Sequence, residues 1–333
     1  MSAHIRIQKA SVPAWVMRGC VASAMLFSSL CALAQGFPNR PIRMIVSAPP
    51  GTAPDIVART VGQKMSENLG RPTIVDNRPG GGGIPAINSV ISAAPDGYTL
   101  LITDTGVYSI LPNINAGVDP LKSLVPISLA ATTPLYLGVS TTLSANTLQE
   151  FIAVAKAKPG LPYGSAGNGT AHHLFMELVK SLAGIDLNHI PHKGVAPAVQ
   201  SMLTGEIAAA FAGINLLLPQ AKAGKLRILG VASDQRSGLM RDIPTIAEAG
   251  LPGFNIKPIS KGYFAPLGTP ADITDLLRTE ITRATRTDDV VKRLLAVDIE
   301  IPSGFTAEQF VEAVRTERQV FGKLVKAAGI LVQ

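Results

Sequence analysis

From Pro41 onward, short runs rich in β-branched residues alternate with stretches whose apolar residues recur at helical spacing. This alternation constrains the chain more than any other feature, because strands separated by helices pack as an α/β layer structure. Residues 42–47, Ile-Arg-Met-Ile-Val-Ser, read as the first strand, followed by a turn at Ala48-Pro49-Pro50-Gly51. A helix is predicted over 54–69, with Ile56, Val57, Val61, Met65 and Leu69 as its apolar stripe and Gly70 and Pro72 as its stop. Thr147-Leu148-Gln149-Glu150 is a capping box that opens a further helix. Another helix is predicted over 170–183, with Leu174, Leu178 and Leu182 at spacing four. Strands are expected at 73–75, 98–103, 163–165, 187–190, 207–212 and 226–232, and C-terminal helices at 271–286 and 306–327.

At 333 residues the chain is long enough for two cores, yet no low-complexity linker divides it. Two α/β domains joined without a linker imply a chain that crosses between them more than once. The extended stretches 129–139 and 257–265 are the candidate crossings. They divide the chain into a discontinuous first domain, 35–136 with 259–333, and a second domain, 137–258, each a sheet flanked by helices.

Residues 1–34 are expected to be a signal peptide. His4, Arg6, Lys9 and Arg18 precede an uncharged stretch from Gly19 to Ala34, which is too short to span a bilayer. The stretch ends in Ala32-Leu33-Ala34, placing cleavage near Ala34–Gln35 and the product in the periplasm. Both cysteines, Cys20 and Cys31, leave with it, which excludes disulfides, thiolate zinc sites and cysteine nucleophiles from the exported protein. The net charge of +7 falls as three cations depart, and no basic cluster remains to recruit nucleic acid.

Ligands in open α/β sheets sit beyond the C-terminal strand ends, where glycine allows close backbone approach and helix N-termini favour anions. Four loops fit: Pro49-Pro50-Gly51-Thr52, Gly80–Gly83, Asp104-Thr105-Gly106 and the segment 165–170. Each taken singly also reads as ordinary turn chemistry. Gly81-x-Gly83-x-x-Ala86 matches a dinucleotide fingerprint, but Arg78-Pro79 interrupts the strand-to-loop turn that motif needs, so no cofactor is expected. His172-His173 and His189-x-x-His192 lack metal-ligand spacing and carboxylate company, so no metal is expected. Ser165 with His173 is a conceivable hydrolase pair, yet no Gly-x-Ser-x-Gly elbow and no orienting acid accompany it.

At these same loops the sequence resembles the Bug family, the extracytoplasmic solute receptors of tripartite tricarboxylate transporters. The markers are Phe37-Pro38-Asn39-Arg40-Pro41-Ile42-Arg43, Pro49-Pro50-Gly51 with Asp55, and Val75-Asp76-Asn77-Arg78-Pro79-Gly80. Pro95-Asp96-Gly97-Tyr98, Gly164-Ser165-Ala166-Gly167-Asn168-Gly169-Thr170, Lys193-Gly194 with Ala196-Pro197-Ala198, and Phe264-Ala265-Pro266 follow. The likeness covers about 37–330 and implies a two-domain periplasmic binding protein of type II-like topology that closes like a flytrap. It further implies a small carboxylate ligand, no catalysis, a monomer, and membrane subunits of a transporter as partner. A sensor protein is the alternative partner.

Carried onto this chain, the ligand-binding residues are Pro50, Gly51, Thr52, Asp104, Thr105, Gly106, Ser165, Gly169, Thr170 and His173, supported by Asp55, Gly80 and Gly81. Three positions depart from the family pattern: Thr52 replaces a second glycine, Ala212 an acid, and Ser260-Lys261 an aromatic stretch. Ala212 argues against an amino-acid ligand. Lys261 either offers charge to a second carboxylate, which would favour a di- or tricarboxylate, or is a solvated hinge lysine.

Overall fold

The computed structural model describes residues 36–115, 117–302 and 306–327. The expected signal peptide, its cleavage point and both cysteines lie outside the described residues. β1 (Ile42–Val46) leads into α1 (Ala53–Leu69), then β2 (Thr73–Asn77), a 3-10 turn (Gly81–Gly83), α2 (Ile84–Ile91) and β3 (Thr99–Asp104). A wide π-type turn (Gly106–Ile110) runs into α3 (Leu111–Ile114), α4 (Pro120–Ser123) and the long β4 (Leu124–Thr133). Pro134 alone separates β4 from β5 (Leu135–Ser140).

The chain continues through α5 (Leu148–Ala157), β6 (Leu161–Ser165), α6 (Ala171–Ala183), β7 (Leu187–Pro191) and α7 (Val195–Thr204). β8 (Ala209–Ala212), α8 (Ile214–Lys222) and β9 (Leu226–Ala232) complete this part. After the irregular stretch 233–258 it returns as β10 (Ile259–Pro266), followed by α9 (Ala271–Thr285), α10 (Asp288–Leu295) and α11 (Ala307–Ala327).

These strands form two five-stranded sheets, ordered β2-β1-β3-β10-β4 and β7-β6-β8-β5-β9. In the first, β1 runs parallel to β2 and β3, while β10 runs against both β3 and β4. In the second, β6 runs parallel to β7 and β8, while β5 runs against β8 and β9. Each sheet therefore carries one reversed strand, second from an edge, and that strand is the one entering from the other sheet. The two expected crossings are the β4–β5 step and the return into β10.

Helix placement follows from the apolar stripes. Val57, Val61 and Met65 of α1 are fully buried, as are Phe175 and Val179 of α6. The capping box forms as expected at its core: Thr147 Oγ1 accepts from the Glu150 amide at 3.1 Å. α11 seals both parts at once. Phe310 packs against Phe264 of β10 with the rings tilted by 51°, while Phe321 lies nearly parallel to Phe175 of α6 with centroids 6.4 Å apart.

The crossing region is braced by a backbone exchange between Thr132 and Glu300 (2.8 and 2.9 Å). Two residues before Glu300, buried Asp298 holds a left-handed backbone (φ 58°) and accepts hydrogen bonds from Tyr136 and Ser237. An aspartate tolerates this conformation better than a branched residue would.

Candidate functional site

The C-terminal ends of β1, β3 and β6 meet around one cavity of about 970 Å³, counting its open mouth. Its wall takes residues from both sheets' connections, so a solute inside would touch both.

The first wall is the loop after β1. Asp55, 3% exposed, accepts from the Gly51 amide at 2.9 Å, from Arg59 Nε at 3.0 Å and from Asn77 Nδ2 at 2.9 Å. Asn77 also donates to the Ala48 carbonyl at 2.9 Å, which ties β2 to the same loop. Burial pushes the Asp55 carboxyl up, but these hydrogen bonds together outweigh it and hold it below its ordinary value. Asp55 therefore shapes the loop from behind, as expected. Pro49 and Thr52 line the cavity, whereas Pro50 and Gly51 are exposed and do not.

Gly80, Gly82 and Gly83 line the cavity from the turn after β2, but Gly81 does not. At the end of β3, Asp104 and Gly106 face inward, and Asp104 Oδ1 accepts from the Gly106 amide at 2.9 Å. Burial raises the Asp104 carboxyl above its ordinary value, an effect that Lys261 and the Gly106 and Val107 amides oppose. Thr105 points the other way. Its Oγ1 donates to Glu317 Oε2 of α11 at 3.0 Å and accepts from the Ser260 amide, so it buttresses the wall rather than forming it.

The loop after β6 shows the same division. Asn168, Gly169 and Thr170 line the cavity. Ser165 is fully buried beneath them, with its Oγ bonded to His189 Nε2 at 2.6 Å and to the Gly167 carbonyl and amide at 3.0 Å. His173 is buried as well. Its Nδ1 accepts from the Gly169 amide at 3.1 Å, and its ring stacks on His189 with centroids 3.9 Å apart. Burial lowers both histidines, His189 to about 4, so both are neutral at neutral pH. Ser165 and His173 thus support the loop from within, off the cavity wall. They also do not pair with each other, which removes the geometry that the hydrolase reading needed.

The polar wall residues Ser47, Thr133, His172 and Asn215 escape the sequence reading, as do several apolar ones. Ala212, singled out for lacking a charge, is buried in the core and off the wall; the next residues on, Gly213 and Asn215, form it instead. Asn215 Nδ2 donates to the Gly51 carbonyl at 2.8 Å, joining the rims of the two halves. Gly194 makes a second such approach. A Cβ there would stand 2.5 Å from Pro49 Cγ, at a φ of +109° that side chains rarely adopt.

Lys261 lines the floor and is 2% exposed. Its Nζ donates to the Ile259 carbonyl at 2.7 Å. Burial lowers it to about 7, although the charges of Asp104 and Glu317 favour its protonated form. Among the described residues, no group of three His, Cys, Asp or Glu side chains is placed to hold a metal. No helix among them is long and apolar enough to cross a membrane. The arrangement offers amides, hydroxyls and one buried ammonium to a solute, which suits reversible capture of an anion.

Comparison with known proteins agrees with this geometry. Residues 57–330 match the family described as "Tripartite tricarboxylate transporter family receptor". The chain is 36% identical over 269 residues to Protein BugT of Bordetella pertussis, covering 79% of this chain and 82% of that protein. Among solved structures it is similar to "R. palustris Rpa4515 with adipate" at 29% identity and a TM-score of 0.85, covering 89% of this chain and 99% of that one. It is also similar to "MatC (Rpa3494) from Rhodopseudomonas palustris with bound malate", at 28% identity, a TM-score of 0.81, and 87% and 100% coverage. Fold, topology and sequence together place this chain in the Bug/TctC-like family of solute-binding receptors for tripartite tricarboxylate transporters.

Proposed function

We propose that this protein is an exported receptor that captures a small carboxylate, a di- or tricarboxylate by preference, and delivers it to the membrane subunits of a tripartite transporter. Its two lobes, 35–136 with 259–333 and 137–258, would close over the solute. Thr52, Asp104, Gly106, Gly169, Thr170 and Lys261 would contact it. One observation carries the reading: a cavity walled by both halves, with a buried ammonium on its floor. The adipate and malate held by two structures of similar fold support the same ligand class. Closure then follows from contacts that both lobes make to one solute, since only such contacts favour the closed form.

The test is a thermal-shift series on protein purified from the periplasm, then unfolded and refolded to strip bound solute. Mono-, di- and tricarboxylates and amino acids are compared. Saturable stabilisation by one carboxylate class is expected, because a ligand bound only by the native state raises its stability. A response confined to amino acids, or none, would overturn the reading. Loss of uptake of that same carboxylate on deleting the receptor gene tests the transporter assignment.

A further inference from the structure

We propose that Lys261, Thr133 and His172 form a subsite for a second carboxylate of the bound solute, built from both halves of the protein. The inference rests on the carboxylate-receptor reading and adds where the second acidic group is held. Three polar groups with unused hydrogen-bonding capacity converge on the cavity. The Lys261 ammonium has three donors; one goes to the Ile259 carbonyl, and the residue forms no ion pair among the described residues. Thr133, at the end of β4, is 2% exposed, and its Oγ1 has no partner. His172, near the start of α6, lines the cavity with Nδ1 also without a partner.

Their closeness follows from the ladder. Ile259 pairs with Thr133 across β10 and β4, so the carbonyl that anchors the ammonium belongs to the residue opposite Thr133. His172 approaches from the other half, near enough for the ammonium's charge to help lower its basicity. A buried polar group without a partner is destabilising, and a buried unpaired charge more so. Native proteins rarely keep three such groups in one place unless something else satisfies them. A carboxylate does so: its two oxygens accept from Lys261, from the Thr133 hydroxyl and from the neutral Nδ1–H tautomer of His172. Asp104 shares this wall, but its Oδ1 is engaged by the Gly106 amide.

Titration calorimetry with matched pairs, adipate against hexanoate and succinate against butanoate, tests the subsite. Wild-type protein is expected to bind a diacid at least tenfold tighter than its monoacid. Lys261→Met and Thr133→Val should each collapse that ratio tenfold or more, leaving monoacid affinity within about threefold. Diacid binding with an unchanged ratio in folded Lys261→Met overturns the subsite, as does a wild-type protein that prefers the monoacid. Failure of every carboxylate to bind wild-type protein overturns the receptor reading as well. Should Lys261→Met not fold, a crystal structure of wild-type protein with its diacid decides: a carboxylate on Lys261 Nζ supports the subsite, and one bound elsewhere overturns it.

Discussion

Lys261 stands opposite Asp104 across the β10–β3 ladder, yet its ammonium turns back onto the Ile259 carbonyl 2.7 Å away and forms no ion pair with a carboxylate among the described residues. A cation held this way is a standing liability in the empty protein, and its ordinary basicity falls to about 7.

That liability is measurable as stability. The unfolded chain releases the Lys261 proton near 10.5 and the folded one near 7, so between these values the unfolded state binds more protons and stability rises with pH. Lys261→Met removes the penalty. The ligand-free variant should be more stable than wild type below pH 7, by up to about 5 kcal/mol at roughly 1.4 kcal/mol per pKa unit. The gain should shrink steadily towards pH 9. Denaturant unfolding at both pH values checks it; an equal gain at both would mean that the folded lysine keeps its proton as readily as the unfolded one, and that its basicity is not lowered.

Diacid affinity should fall as pH rises above about 7. The groups facing Lys261 are Asp104 on β3, Glu317 on α11 and His172 on α6. His172, lowered to about 4, stays neutral throughout this range, and burial raises Asp104 and Glu317 above their ordinary values. Lys261, lowered to about 7, loses its charge across this range. Calorimetry in buffers of different ionisation enthalpy should show net proton uptake by wild-type protein on binding adipate at pH 8, and none by Lys261→Met.

Asp55→Ala should weaken every ligand to a similar degree, about tenfold, because Asp55 organises the loop through Gly51, Arg59 and Asn77 and stays off the wall. It should also lower stability by about 2 kcal/mol, the typical loss for a buried charged hydrogen-bond network. The stabilising part is present above the ordinary aspartate value of 3.8 and disappears as pH falls through the lower folded value. A change in the order of ligand preference would contradict this supporting role.

Gly194→Ala should impair closure. Its Cβ would meet the Pro49 ring across the rim, so affinity should drop at least tenfold through faster release. Gly224→Ala is the control for a positive φ without obstruction, since its φ is +70° and nothing lies within 4 Å of the new Cβ. It should lose about 1 kcal/mol of stability and no affinity. Stopped-flow release rates for the two variants separate strain from obstruction.

The α/β alternation is legible because its causes are local. Apolar spacing sets α1 and α6 nearly to the residue, and Thr147 caps its helix through the expected Glu150 amide. The turn at Gly106–Ile110 leaves no comparable mark, because five mixed residues suit neither period. The helix Asp288–Leu295 carries one that the sequence reading passes over: two aspartates open it, Lys292 and Arg293 close it, and Val290 and Leu294 form a buried stripe. At the site the loops are readable but the inward side chains are less so. His172 and His173 are adjacent on α6, where one residue turns a side chain about 100° around the axis, and chemistry alone does not tell which faces the cavity. Thr105 follows Asp104 and faces α11 for a similar reason. Thr133 and Asn215 come to the wall from distant segments, brought there by the crossing of β4 into β5 and by the second sheet's own loops.

The position of β10 between β3 and β4 also means that the first sheet is completed only by a late part of the chain. The second sheet draws all its strands from residues 135–232 and needs none that lies later in the chain. The first keeps a one-strand gap until residue 266 arrives, with β3 and β4 each presenting an open edge in the interval. Lys261 enters with the strand that fills this gap, so the binding floor is laid last, onto a second half already built.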